Sequence, residues 1–267
     1  MSVDLKELYH KYYNYFNMYH YMLFSLLALI ALGILNNGKT TIPQIITAIL
    51  ICAALDIFFQ FLRDKFQKKQ FAIEFPYSAL ISALLIAGIL IPGTRWYIIA
   101  VAATIAIAVK HIFKSFSFTY NTSNKHIFNP AASGIIAVTF LFSAASNWWI
   151  ISNIYLAILY GILMIIRIKR YWLTTSYLFS HTIIIAIYAI ITHQNILDSI
   201  LLVNIFFACF MLIEPKTSPF ETKKQWIYGA IIAVLAVVFL ITVPIIDNSL
   251  TALLIGNIIL VGVNKLV

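Results

Sequence analysis

Residues 43–62 read Pro-Gln-Ile-Ile-Thr-Ala-Ile-Leu-Ile-Cys-Ala-Ala-Leu-Asp-Ile-Phe-Phe-Gln-Phe-Leu. A helix needs about 20 mostly apolar residues to cross the hydrocarbon core of a bilayer, and this stretch supplies them with one charge, Asp56. Arg63, Lys65, Lys68 and Lys69 follow at once, as cations follow a span that ends on the cytoplasmic side. Working outward, comparable apolar runs cover 21–35, 72–91, 96–113, 131–147, 149–166, 171–192, 196–213, 226–246 and 250 to the C-terminus. The chain reads as an all-α polytopic membrane protein with ten transmembrane helices.

Composition agrees. The 267 residues are 62% hydrophobic and 10% charged, with a mean hydropathy of +0.94, whereas a soluble domain carries about 25% charged residues. This excludes an ordinary soluble enzyme, a disordered chain and a nucleic-acid module. The net charge of +9 therefore reflects cations flanking spans, and the expected partner is the lipid bilayer, with no nucleic acid. Cys52 and Cys209 lie inside apolar runs and read as packing residues. Residues 1–20 hold Asp4, Lys6, Glu7 and Lys11 with a crowd of tyrosines, which suits an interfacial segment rather than a cleaved signal.

The ten-span reading makes a claim about charge. With the N-terminus inside, only Lys39 and Arg95 of the 18 Lys and Arg face outward. A missed or invented span would scramble that alternation. The positive-inside rule thus predicts a multi-pass protein of the cell membrane (plasma or inner) with both termini cytoplasmic. Ten spans divide into two fives, and an odd repeat must invert in the membrane. Ile91-Pro92-Gly93-Thr94 and Glu214-Pro215-Lys216-Thr217 are matching stops, each followed by a Trp-led span. The expected repeats cover 21–147 and 148–267.

Charges at membrane depth need a reason. Asp56 is read either as an ion or proton ligand facing the bundle interior, or as a partner of Arg63 or Lys65. Those cations lie roughly 10–14 Å further along one helix, which favours the interior. Glu74 reads as pairing near Lys68 and Lys69, and Lys110 and His111 as reaching to the cytoplasmic surface. His181 is well inside a span and reads as hydrogen-bonded structure, with a proton relay as the alternative. Asn153, Asn204 and Asn257 read as helix–helix contacts. No Walker, GxGxxG, HExxH or nucleophile-elbow motif occurs.

Three stretches carry a resemblance. Phe128-Asn129-Pro130-Ala131 follows a basic loop and feeds small residues into a span. Ser78-Ala79-Leu80-Ile81-Ser82-Ala83-Leu84-Leu85 runs to Ile91-Pro92, and Glu214-Pro215-Lys216-Thr217-Ser218-Pro219 precedes Trp226-Ile227-Tyr228-Gly229. In order and spacing, from about Met22 to the end, they resemble the RnfD/NqrB family, the related membrane subunits of the Rnf electron-transport complex and the Na⁺-translocating NADH:quinone oxidoreductase. That resemblance implies two inverted five-helix repeats, similar to urea and ammonium transporters.

The sequence departs from the family in two places. Members commonly carry FMN on a threonine of a Ser-Gly-Ala-Thr motif after the fifth helix. Here the connection is read as only Ala145-Ser146-Asn147-Trp148-Trp149, without Gly-Ala-Thr, so a covalent FMN is not expected. The family's last-helix acid is also missing, with Asn264 in its place. The resemblance then implies a membrane subunit of a redox-driven ion pump, with other subunits as partners. A flavin (FMN or riboflavin), if bound, would be held non-covalently near Asn129, Pro130, Thr217 and Ser218, with Asp56 and Glu214 on an ion path. The alternatives are a stand-alone channel or transporter for a small solute and a non-catalytic assembly subunit.

Overall fold

The computed structural model describes residues 17–68, 70, 73–115, 127–197 and 204–266. The expected interfacial segment lies almost wholly outside them. Among the described residues the α-helices are α1 Met18–Asn37, α2 Ile42–Phe66, α3 Tyr77–Ile89, α4 Trp96–Ser115, α5 Pro130–Phe142, α6 Ile154–Ile168, α7 Tyr171–Ile191, α8 Thr222–Thr242 and α9 Asn248–Leu266. A π-helical turn, π1, covers Phe207–Met211. Five segments are long and apolar enough to cross a membrane: Met18–Asn37, Lys39–Phe66, Trp96–Phe113, Tyr171–Ile191 and Thr222–Thr242. The chain is a multi-pass membrane protein.

Three of the other apolar runs give shorter helices than the sequence predicts. The run at 72–91 is helical only from Tyr77 to Ile89, the run at 131–147 stops at Phe142, and the run at 149–166 begins helically at Ile154. Thirteen residues rise about 20 Å, too little to cross a bilayer alone. A helix that ends inside the bundle must have its carbonyls satisfied by protein. At α3, Ala87 O accepts from Gln44 Nε2 at 2.7 Å and from Trp149 Nε1 at 2.8 Å. Gln44 Oε1 also accepts from the Gly93 amide at 2.9 Å. The Asn147 and Trp148 amides donate to Ile89 O, and the Ile91 amide donates to Ala145 O. The connection from α5 to α6 is therefore paired with the end of α3, through an antiparallel bridge between Leu90 and Ser146. It spans 143–153 and holds a 3₁₀ turn at Trp149–Ile151, so it is longer than the five residues read from sequence.

Long helices meet where side chains vanish. A Cβ on Gly229 of α8 would lie 2.8 Å from the Leu173 carbonyl oxygen of α7, and one on Gly134 of α5 would run into the Ala102 carbonyl of α4. Only glycine permits backbones this close, and small residues at crossings are how membrane helices pack. Ser176 Oγ donates to Trp226 O at 2.6 Å and Gln225 Oε1 accepts from the Leu173 amide at 3.3 Å, so the α7–α8 contact is polar as well as tight. The expected eighth span, 196–213, is partly outside the described residues. Its end is π1, fully buried, with Phe206 and Phe210 stacked at 4.4 Å and Cys209 against Gly161.

Candidate functional site

Two short elements converge at the end of the bundle where α1 begins and α6 ends. Asn129 caps α5, its Oδ1 accepting from the Ala132 amide at 3.0 Å, with Pro130 as the first helical residue. Proline there gives up no hydrogen bond, since first-turn amides are unpaired in any helix. Facing it, the turn after π1 folds on Glu214: its carbonyl accepts from the Thr217 and Ser218 amides and from Ser218 Oγ at 2.8 Å. Asn129 Nδ2 donates to Glu214 Oε2 at 2.9 Å, and Thr217 Oγ1 donates to the same oxygen at 3.4 Å. Behind the turn, Arg170 Nε donates to Ser218 Oγ at 3.2 Å while its guanidinium lies 3.9 Å over the Phe220 ring. Burial lowers the Arg170 pKa, but a guanidinium stays charged at any accessible pH.

Asn129, Pro130, Glu214 and Pro215 line one side of an open recess. The opposite walls are mostly apolar and soft: Met18 and Met22 of α1, Met164 of α6, and Phe210 of π1, with Ser78 and Ser82 of α3 adding hydroxyls. Apolar walls with a few placed polar groups are typical of cofactor and small-molecule sites. Lys216 lies 5.8 Å over the Tyr19 ring and Arg167 5.3 Å over Tyr21, so cations fasten the start of α1 beside the recess.

The family described as NQR2, RnfD, RnfE matches residues 9–153 and 145–267, which together take in almost the whole chain. The chain belongs to this family. A comparison with curated proteins found no match. The NQR2, RnfD, RnfE family comprises membrane subunits of Rnf- and Nqr-type electron-transport complexes. The two matched segments meet in the connection between α5 and α6, and Asn129-Pro130 and Glu214-Pro215 together form one side of the recess.

Of the residues singled out from sequence, Asn129, Pro130 and Glu214 line the recess, while Thr217 and Ser218 act behind it by fixing the Glu214 turn. Asp56 is brought to a separate cluster. It is buried, and Oδ1 accepts from Lys110 Nζ at 2.8 Å and meets His111 Nε2 at 2.7 Å, while Gln60 Nε2 donates to Oδ2 at 3.2 Å. Lys110 and His111 therefore do not reach for the surface as expected. The buried carboxylate one helix away is a better partner than the headgroup layer. Neither Arg63 nor Lys65 is Asp56's partner, and Arg63 bonds Asp64 at 3.0 Å. Gln60 also holds both backbone groups of Glu74, which ties the cluster to the approach to α3. His111 stacks on Phe59 at 4.8 Å.

Sequence reading missed Lys110, His111 and Gln60 as functional side chains. The available signal was that an acid deep in one span and a cation near the same depth in another must find each other. It also missed Asp247, whose Oδ2 accepts from Ser146 Oγ at 2.6 Å and Trp148 Nε1 at 2.7 Å, and whose Oδ1 accepts from the Leu250 amide at 2.9 Å. Asp247 thus caps α9 as Asn129 caps α5, and each also reaches across to another break in the chain.

Proposed function

We propose that the chain is a membrane subunit of a redox-driven, ion-translocating complex of the Rnf/Nqr kind, and that its recess holds a flavin without a covalent bond. The observation that carries this is the pairing of Asn129 with Glu214 at the wall of an apolar, methionine- and phenylalanine-lined recess. A flavin ring needs apolar or aromatic walls and a few amide or hydroxyl partners, and the residues present fit that requirement. Asn129 spends one Nδ2–H on Glu214 and keeps a second for a ligand, and Ser78 stands on the facing helix. When bound, a flavin supplies one- and two-electron chemistry. The chain's own residues orient the ring, and the soft apolar walls exclude water from it.

In this reading Asp56 and Glu214 belong to the ion path. Asp56 is bonded to Lys110 and His111 inside the bundle, and Glu214 accepts from Asn129 at the recess. The ten-span, two-repeat architecture with both ends in the cytoplasm is part of the proposal. The reciprocal capping by Asn129 and Asp247 supports it, because an inverted repeat puts equivalent helix starts at opposite ends. The complex would sit in the plasma or inner membrane beside partner subunits that carry the other redox centres.

The test is flavin content. Purified in mild detergent, the chain should release flavin into the supernatant on denaturation, and the denatured band should be dark in gel fluorescence. A protein free of flavin that conducts a small neutral solute would instead support the second reading, a stand-alone channel, which the missing Gly-Ala-Thr motif favours. A fluorescent denatured band would contradict the non-covalent reading.

A further inference from the structure

Both oxygens of the Asp56 carboxylate are engaged by nitrogen donors. Lys110 Nζ and His111 Nε2 share Oδ1 at 2.8 and 2.7 Å, and Gln60 Nε2 donates to Oδ2 at 3.2 Å. The Gln60 oxygen is turned elsewhere, accepting from the Glu74 amide at 3.1 Å. Hard cations need several oxygen ligands, and in membrane transporters unwound backbone carbonyls supply many of those for sodium. Here α2 and α4 run unbroken past Asp56 and Lys110, so their carbonyls there are committed to helical bonds. No group of three His, Cys, Asp or Glu that could hold a metal ion occurs among the described residues. The Lys110 ammonium already supplies the one positive charge that an alkali ion would bring.

A proton needs no such ring of oxygens. His111 lies flat on Phe59, with planes 12° apart, which holds its edge toward Asp56. A carboxylate only accepts, so Nε2 carries the hydrogen of that bond and Nδ1 is the nitrogen that can gain one. The His111 side chain is 15% exposed, against 10% for Lys110 and 6% for Asp56, so the cluster is nearest to water at the imidazole. The other titratable side chains of the surrounding elements are placed elsewhere. On α2, Cys52 is a buried thiol, Arg63 bonds Asp64 at 3.0 Å and Lys65 is exposed. Glu74 is exposed, and Tyr77 of α3 meets His20 of α1 at 3.0 Å. Glu214 accepts from Asn129 and Thr217, and Lys216 lies over Tyr19. Helix α5 carries no titratable side chain.

We infer that the ion handled by this cluster is the proton and not sodium, with His111 taking it up and Lys110 fixed where an alkali ion would otherwise sit. The inference rests on the reading of Asp56 as part of an ion path. One proton adds to His111 Nδ1, the ring becomes an imidazolium bonded to Asp56, and loss of that proton restores the starting state. No electron moves in the step. Asp56 and Lys110 keep their charges throughout and act as positioning residues.

The experiment is solid-state NMR of the full chain in bilayers, labelled with ¹⁵N at histidine and ¹³C at aspartate. His111→Gln and Asp56→Asn assign the signals, and Asp56→Glu serves should the second variant fail to insert. From roughly pH 4 to 9, the range in which imidazoles change charge, the His111 nitrogens should pass between the neutral and imidazolium patterns. The Asp56 carboxyl signal should move with the same midpoint. Replacing choline chloride by sodium chloride at fixed pH and ionic strength should leave both signals in place. A His111 that keeps one pattern throughout, an Asp56 signal that ignores the His111 transition, or one that shifts saturably with sodium overturns the proposal. Flavin content is measured on the same sample, so flavin-free protein with these titrations intact fails the redox reading alone.

Discussion

Asn129 Nδ2 donates to Glu214 Oε2 at 2.9 Å, joining the start of α5 to the turn after π1 across 85 positions of chain. The two residues come from two of the segments that carry the family resemblance, and together they build one side of the recess. The carboxylate needs a donor inside the bundle, and the short helix needs an anchor for its buried N-terminus.

That bond predicts a double-mutant result. Asn129→Asp keeps a capping oxygen but sets two carboxylates against each other, so stability should fall by about 1.5–3 kcal/mol, the worth of a hydrogen bond to a charged group. Adding Glu214→Gln restores a donor facing the new aspartate and should recover at least half of the loss. Denaturant titration in detergent reads both. Additive losses would mean that the pair does not interact.

Removing Lys110 strands a buried acid. Lys110→Met should destabilise the chain by about 3–5 kcal/mol, with His111 holding the loss toward the lower figure. Lys110→Met combined with Asp56→Asn should be clearly more stable than Lys110→Met alone. Equal stability of the single and double variants would place Asp56 in water. By itself, Asp56→Asn should insert and assemble but stop coupled ion movement in reconstituted vesicles.

The α7–α8 crossing should not tolerate a side chain at Gly229. A Cβ there would stand 2.8 Å from Leu173 O and 3.0 Å from Ser176 Oγ. Gly229→Val should cost about 1–3 kcal/mol by overpacking, measured by the same titration. Unchanged stability would mean that the two helices part freely.

The architecture was legible in the sequence wherever an apolar run is also a full helix, as for α1, α2, α4, α7 and α8. It was not legible where the backbone ends inside the bundle. Hydropathy cannot distinguish 13 helical residues and an extended tail from an unbroken span, because Gln44 and Trp149 meet the Ala87 carbonyl from other elements. Asn129-Pro130 announced itself through proline and capping chemistry, and Glu214-Pro215 through its break. Lys110 and His111 were misread because a cation at a helix end looks the same whether it turns to the headgroups or to an acid on the next helix. Asp247 lay in a polar connection, with nothing local to mark its bonds to Ser146 and Trp148.

Orientation has a direct check. Cysteines placed beside Lys39 or Arg95 should react with an impermeant reagent added outside intact cells, and cysteines beside Lys68 or Lys169 should react only after the membrane is opened. The opposite pattern would reverse the topology.

The recess as cofactor site is the central claim, and flavin stoichiometry with the recess filled tests it most directly. Ser78 lies on the recess wall and is only partly buried, so Ser78→Trp puts an indole where the ligand would lie. The wild-type chain should carry releasable flavin, and Ser78→Trp should insert normally yet carry almost none. Equal flavin in the two proteins, or none in the wild type, would contradict the account.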